Sequence, residues 1–294
     1  MDFDLDADQR ALLDQVEAAV RAKASGGAYD AHLDDALRDA FDPARPLDVL
    51  DRVLITERLA ELGAATTFGT ALLVGAEGPP GGLAVATAAR RGPVRYGGQA
   101  ATLAFVSDVD VVLAPAGSCR VEQIRSGFGY PYARIEAPDS DGMALPGAAA
   151  GWRAALTLAR SAEVAGNAAS AVARTAEHLR ERVQFGRPLA TFQALRHRLA
   201  DAAVSAEATR WLVREAAYTG SPRDLAIAAS YAHQTAAALG PELVQLGGAR
   251  SFAREFGLHV YTMRLEALRL ELGAPDRLAA AVNSPPNTAN RINE

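Results

Sequence analysis

The chain has a single cysteine, Cys119, among 294 residues. Without a second thiol there is no intramolecular disulfide framework, and this usage fits a reducing cytoplasm. Long apolar runs are also missing: none approaches the roughly 18 residues that cross a bilayer as a helix. The opening Met1-Asp2-Phe3-Asp4 is acidic where a signal peptide is basic. The expectation is a soluble cytoplasmic protein without a membrane partner. Excess positive charge is absent too. Thirty Lys and Arg against 35 Asp and Glu leave a net charge of −5, which argues against a nucleic-acid surface. The histidines His32, His178, His197, His233 and His259 show no metal-ligand spacing with cysteines or carboxylates, and read as structural or surface residues. No G-x-G-x-x-G or P-loop pattern occurs. Asp139-Ser140-Asp141-Gly142 lacks the ligands of a calcium loop and reads as a turn, and Cys119 reads as a buried small hydrophobe.

What is present is globular: 49% hydrophobic and 22% charged residues, in a chain long enough for one large or two to three small domains. Leu12, Leu13, Val16 and Val20 fall at helical spacing between Asp6 and Lys23, with Asp6 or Asp8 placed to cap the start. His32 to Ala40 and Leu47 to Leu62 read as further helices, the second stopping at Gly63. Gly78-Pro79-Pro80-Gly81-Gly82 is a strong breaker. Beyond it the period changes to two, and Leu83–Thr87, Thr102–Val106, Val109–Leu113 and Ala133–Glu136 read as short strands. From Trp152 the helical period returns. Val164, Ala168, Val172 and Leu179 form one stripe, and Leu195, Leu199, Ala202 and Ala206 another. Helices from about Leu225 to Leu239 and from His259 to Leu272 complete four antiparallel candidates for a bundle. The division is a helical domain (1–80), a shortened β domain (81–147), a four-helix bundle (148–283) and a flexible tail (284–294).

The richest stretch is Glu181-Arg182-Val183-Gln184-Phe185-Gly186-Arg187-Pro188-Leu189, then Phe192-Gln193, and later Gln245-Leu246-Gly247-Gly248. Arginine offers a planar fork of donors suited to a pyrophosphate. Gln184, Gln193 and Gln245 each carry a donor and an acceptor, and the paired glycines let backbone approach a ligand. Read alone, Arg182 and Arg187 are also compatible with solvated helix-end cations, and Gly247-Gly248 with a plain helix cap.

In order and spacing, E-R-V-Q-F-G-R-P-L-x-x-F-Q-x-x-x-H-x-L-A-D and Q-L-G-G-x-x-x-F-x-x-E resemble the C-terminal half of the acyl-CoA dehydrogenase family, over Trp152 to Gly273. Phe3-Asp4-Leu5-Asp6-Ala7-Asp8-Gln9-Arg10 resembles the family's opening. The resemblance implies a mainly α fold: an N-terminal helical domain, a small β middle domain and a C-terminal four-helix bundle. It implies FAD as cofactor, an acyl-CoA substrate and an electron-transfer flavoprotein-type acceptor. By resemblance, Arg182, Gln184, Phe185, Gln193, Gln245 and Gly248 meet the FAD of a neighbouring subunit.

Two departures qualify it. The family's Thr-Glu…Gly-Ser-Asp segment, which helps seat the flavin ring and thioester, has no match between Gly81 and Gly147. Arg91-Gly92-Pro93-Val94-Arg95-Tyr96-Gly97-Gly98 stands there instead, and Ser107 to Ala114 takes the role of one strand. The chain alone is therefore not expected to enclose an isoalloxazine ring. The reaction also requires a positioned carboxylate to take the α-proton. The family's two positions fall at Leu156-Thr157 and at Leu272-Gly273, and neither holds one. The nearest acids are Glu271, one residue and about 100° off register, and Glu266. Glu271 reads as a solvated or interfacial acid, and Glu163, beside Arg160, as part of a surface pair.

The resulting expectation is one subunit of a heteromeric, FAD-dependent acyl-CoA dehydrogenase, α2β2 with a longer sister chain that supplies the base and the thioester pocket, on a substrate that could be a bulky steroid-type thioester. Two alternatives are a self-sufficient homodimer using Glu271 or Glu266, and a flavin-free scaffold.

Overall fold

The first helix begins at a reciprocal cap. The Gln9 N–H donates to Asp6 Oδ1 at 2.7 Å and the Asp6 N–H to Gln9 Oε1 at 3.2 Å, satisfying donors that a helix start leaves open. The computed structural model describes residues 5–23, 29, 31–41, 46–75, 81–87, 93–138 and 142–283. Gly78, Pro79 and Pro80 of the breaker, Arg91, Gly92, the Asp139–Asp141 turn, most of the opening and the tail lie outside them.

Four helices come first: α1 (Ala7–Lys23), α2 (Ala31–Ala40), α3 (Val49–Glu61) and α4 (Phe68–Leu73). Leu12, Val16 and Val20 of α1 are buried with Leu33 and Leu37 of α2 and Ile55 and Leu59 of α3. Asp48 caps α3, accepting from the Asp51 N–H at 2.7 Å, and Gly63 (φ 69°) follows it as expected. The six residues of α4 are too few to show a period in the sequence.

Two small sheets follow. One has the order β1 (Leu83–Ala86), β3 (Thr102–Val106), β4 (Val111–Pro115), β7 (Met143–Leu145); the other has β2 (Pro93–Arg95), β6 (Tyr132–Glu136), β5 (Arg120–Ile124). Among the described residues only β1 and β3 pair in parallel. Where a strand was expected to begin at Ser107 or Val109, the chain turns: Ser107 Oγ donates to the Asp110 carbonyl and accepts from the Asp110 N–H, both at 2.8 Å, so β4 starts later. Cys119 is half-buried at the edge of the core, not enclosed by it.

The rest is a bundle of α5 (Ala149–Glu181), α6 (Gln193–Thr219), α7 (Pro222–Gly247) and α8 (Leu258–Leu272), with α9 (Pro275–Asn283) laid against α7. A hairpin of β8 (Val183–Gln184) and β9 (Arg187–Pro188) joins α5 to α6. Between α6 and α7, Gly220 (φ 62°) ends one helix, Ser221 caps the next and Pro222 opens it. The seam is rich in alanine: Ala168, Ala171, Ala202, Ala206, Ala232 and Ala236 are buried with Leu239, Leu243, Leu265 and Leu268. Both expected stripes face it, with Val172, Leu195 and Leu199 only partly covered. Along its outer side α5 meets α3 at Gly166, where a Cβ would lie 2.1 Å from the Glu57 carbonyl.

Candidate functional site

Antiparallel order brings the C-termini of α5 and α7 and the N-termini of α6 and α8 to one end of the bundle. Arg182 is the residue after α5; its N–H bonds the His178 carbonyl at 2.9 Å and its carbonyl accepts from Leu189 at 2.8 Å. These bonds start the hairpin, whose loop is Phe185-Gly186, both at left-handed φ (53° and 78°), as two-residue hairpin loops require. For phenylalanine that conformation is strained, and it holds the ring 86% exposed. The ring meets Phe192 edge-on at 6.0 Å, and the Arg187 guanidinium lies 4.2 Å over Phe192. Gln184, Gln193 and Gln245 are exposed, and among the described residues none has a hydrogen-bond partner through its side chain. Gly248 (φ 58°, ψ −145°) sits in backbone open only to glycine, and a Cβ on Gly247 would fall 2.2 Å from Ser251 Oγ. The two motifs meet around His178, which feels the charges of both Arg182 and Arg250. All six residues expected to contact a cofactor therefore stand at this one end, facing outward.

The acids are elsewhere and differ from expectation. A cavity of about 230 Å³ lies where α4, β1, β2, α5 and α8 converge, lined among others by Thr70, Leu83, Arg95, Arg160 and Glu271. Glu271 is neither solvated nor at a free surface. Its Oε2 takes Arg160 Nε at 3.2 Å and Arg95 Nη2 at 3.5 Å, and its Oε1 accepts from the Tyr132 hydroxyl at 2.8 Å. Burial alone would raise this carboxyl, but Arg95, Arg160 and Tyr132 outweigh burial and hold it below the usual carboxylate range. Glu163 is likewise not a surface pair: it is buried, 2.7 Å from Arg95 Nη1, and burial pushes its carboxyl up against the pull of that arginine. Arg95 also stacks 4.6 Å over Tyr130, with Arg264 at 4.8 Å from the same ring. Glu266 is bound by Arg269 one turn on, which lowers its pKa. Sequence reasoning missed Arg95, Tyr132 and Arg264 in this cluster. The one local signal was Arg160 and Glu163 at helical i,i+3 spacing. Among the described residues no group of three His, Cys, Asp or Glu could hold a metal, and no helix is long and apolar enough to cross a membrane.

Residues 151–282 match the family model for the acyl-CoA dehydrogenase C-terminal domain. In this region the chain resembles an acyl-CoA dehydrogenase C-terminal domain. Acyl-CoA dehydrogenase IpdE2 of Mycobacterium tuberculosis is 38% identical over 134 residues, 45% of this chain and 41% of that protein. The short-chain specific acyl-CoA dehydrogenase of Megasphaera elsdenii is 38% identical over 101 residues, 33% of this chain and 26% of its own length. The match thus spans less than half the length of these curated relatives. The whole chain has the acyl-CoA dehydrogenase fold: a chain of the ChsE4–ChsE5 complex from M. tuberculosis superposes with a TM-score of 0.81 at 21% identity, covering 97% of this chain and 100% of that one. The Tcur3481–Tcur3483 steroid ACAD gives 0.79 at 19% identity, over 94% and 96% of the two chains.

Proposed function

We propose that this chain is the subunit of a heteromeric, FAD-dependent acyl-CoA dehydrogenase that lends cofactor contacts across an interface, while a longer sister chain supplies the catalytic base and the thioester pocket. The observation that carries this reading is a contrast within one molecule. Its outward-facing bundle end offers an arginine fork, three unengaged amides and a glycine-lined turn. Its inner cavity is lined by charges that satisfy one another. At about 230 Å³ that cavity falls below the roughly 300–1,000 Å³ of ordinary ligand pockets. The bundle end thus fits the phosphates and nucleotide edge of FAD, and the cavity does not fit the isoalloxazine ring. The names of two structural neighbours, ChsE4–ChsE5 and Tcur3481–Tcur3483, describe two-component assemblies, the second a steroid ACAD. They support an unlike partner and a bulky acyl group; the α2β2 arrangement is part of the proposal.

In that assembly bound FAD would supply the hydride acceptor for α,β-dehydrogenation. Arg182 would hold phosphate charge, Gln184, Gln193 and Gln245 would bond polar edges, the Phe185 ring would cover them from water, and the Gly248 backbone would let the nucleotide approach. The self-sufficient alternative asks Glu271 or Glu266 to act as base. Both carboxyls are held low by arginines, the opposite of what a base near neutral pH needs.

The test is to co-express the chain with its longer homologue and measure flavin per protein beside the chain expressed alone. One flavin per unlike pair, lost on Arg182→Ala, together with a colourless lone chain, supports the reading. A lone chain carrying one flavin per subunit overturns it, and a colourless complex points to the scaffold alternative.

A further inference from the structure

Beneath the bundle end, Arg174, His178 and Arg250 neighbour Arg182 without a part in the cofactor contacts proposed so far. Arg174 and His178 lie four residues apart on one face of α5, and Arg182 is the extended residue that follows the helix. Opposite them is the segment after α7. Its Phe256 ring packs on His178 at 5.3 Å, and the Arg250 guanidinium stands 5.3 Å from the same ring. Arg174 ties this segment down, donating from Nη1 to the Phe256 carbonyl at 3.4 Å while lying 5.2 Å over Tyr261. Among the described residues, Arg182 and Arg250 form no ion pair. Both are exposed, and both act by charge on an imidazole that is 4% exposed.

His178 is itself incomplete. Its Nδ1 is buried without a hydrogen-bond partner, where nearly all buried polar atoms in folded chains have one. The charged groups acting on it are Arg250 from the opposite segment and Arg182 and Glu181 from its own helix end. One acid against two arginines leaves the surroundings cationic. Burial first, then those arginines, keep the imidazole neutral. An anion seated at Arg182 and Arg250 would offset the arginines' part of that lowering and leave the larger part, due to burial.

We infer that Arg250 is a second phosphate-gripping residue beside Arg182, and that His178 takes up one proton from solvent as a diphosphate docks between them. This rests on the cofactor-lending role proposed above, and it adds a linkage: the assembled enzyme holds its flavin nucleotide more tightly as pH falls below about 6.5, the ordinary histidine value. Arg174 is a positioning residue, fixing the backbone that carries Phe256 against His178.

Calorimetric titration of the flavin-stripped two-chain complex with FAD, in two buffers of different ionisation enthalpy near pH 6, roughly half a unit below the ordinary histidine value, reads affinity and proton uptake together. Arg250→Ala is expected to weaken binding about tenfold or more, as removal of a charge-assisted phosphate contact does, and Arg250→Lys to recover part of that. His178→Phe should keep FAD bound but abolish the buffer-dependent heat. Wild-type affinity in Arg250→Ala, with weakened binding in Arg182→Ala, overturns this inference and leaves the cofactor-lending role standing. Unchanged affinity in both variants overturns that role itself. Buffer-independent heat in the wild-type complex removes His178 from the account. Melting temperatures of the variants within about 2 °C of wild type, under about 1 kcal/mol, establish that a weakened site is not a misfolded one.

Discussion

Replacing Glu271 with glutamine asks whether this carboxylate serves chemistry or architecture. The side chain keeps its shape and can still accept from Tyr132, but it loses the charge that faces Arg160 and Arg95. Side-chain exposures of 17%, 14% and 10% for Glu271, Arg160 and Arg95 put the three largely out of water. Leaving a buried charge without its partner costs about 3–5 kcal/mol. Arg95 keeps Glu163, so the lower figure applies, about 3 kcal/mol, or roughly 6–12 °C in melting temperature for a chain of this size. The pH dependence has a definite sign. Because the folded carboxyl lies below its ordinary value, its contribution is complete above about pH 4.3 and is lost as pH falls through the folded value. The gap between wild type and Glu271→Gln is therefore widest at neutral pH and closes in acid. Calorimetric melts of both proteins at neutral pH and near pH 4, with Arg160→Gln and the double variant completing a cycle, measure this directly. A difference under about 1 kcal/mol at neutral pH, or no coupling between Glu271 and Arg160, would refute the view of Glu271 as an architectural ion.

Other expectations are simpler. Gly166→Ala forces a methyl against the Glu57 carbonyl and should lower stability by at least about 1–3 kcal/mol in a denaturant titration. Glu57→Gln strips the shared acid from Arg210 (2.5 Å) and Arg214 (3.0 Å). It should cost about 3 kcal/mol or more, with Arg210→Gln partly restoring the loss. Burial, with Arg250 and Arg182 for His178 and Arg269 for His233, lowers both imidazoles. The unfolded chain then binds protons first, and stability declines as pH falls below about 6.5 toward the folded values. A melting temperature that stays flat from neutral pH down to the folded values would contradict this.

Periodicity carried the long helices because an amphipathic stripe repeats many times in 26 or 33 residues. It could not find α4, β2 or β7, which hold one or two repeats each. The bundle-end residues were legible because they lie in two short, nearly contiguous motifs. The charge cluster was not, since its bonds join residues 68, 111 and 139 positions apart and each member looks like an ordinary surface ion in its own stretch. Glu271 and Glu163 were misjudged for that reason: burial is a property of the packed whole, and a window of sequence sees only neighbours.

The hairpin tip has a kinetic meaning. Phe185 holds a left-handed backbone at a standing cost of about 1–2 kcal/mol, and Phe192 braces its ring from the side. A surface already fixed in shape has little ordering left to do on contact. Encounters with a matching surface can then end in capture without a slow search through loop conformations. Lifetime, rather than speed of capture, becomes the quantity that the side chains around the tip can adjust.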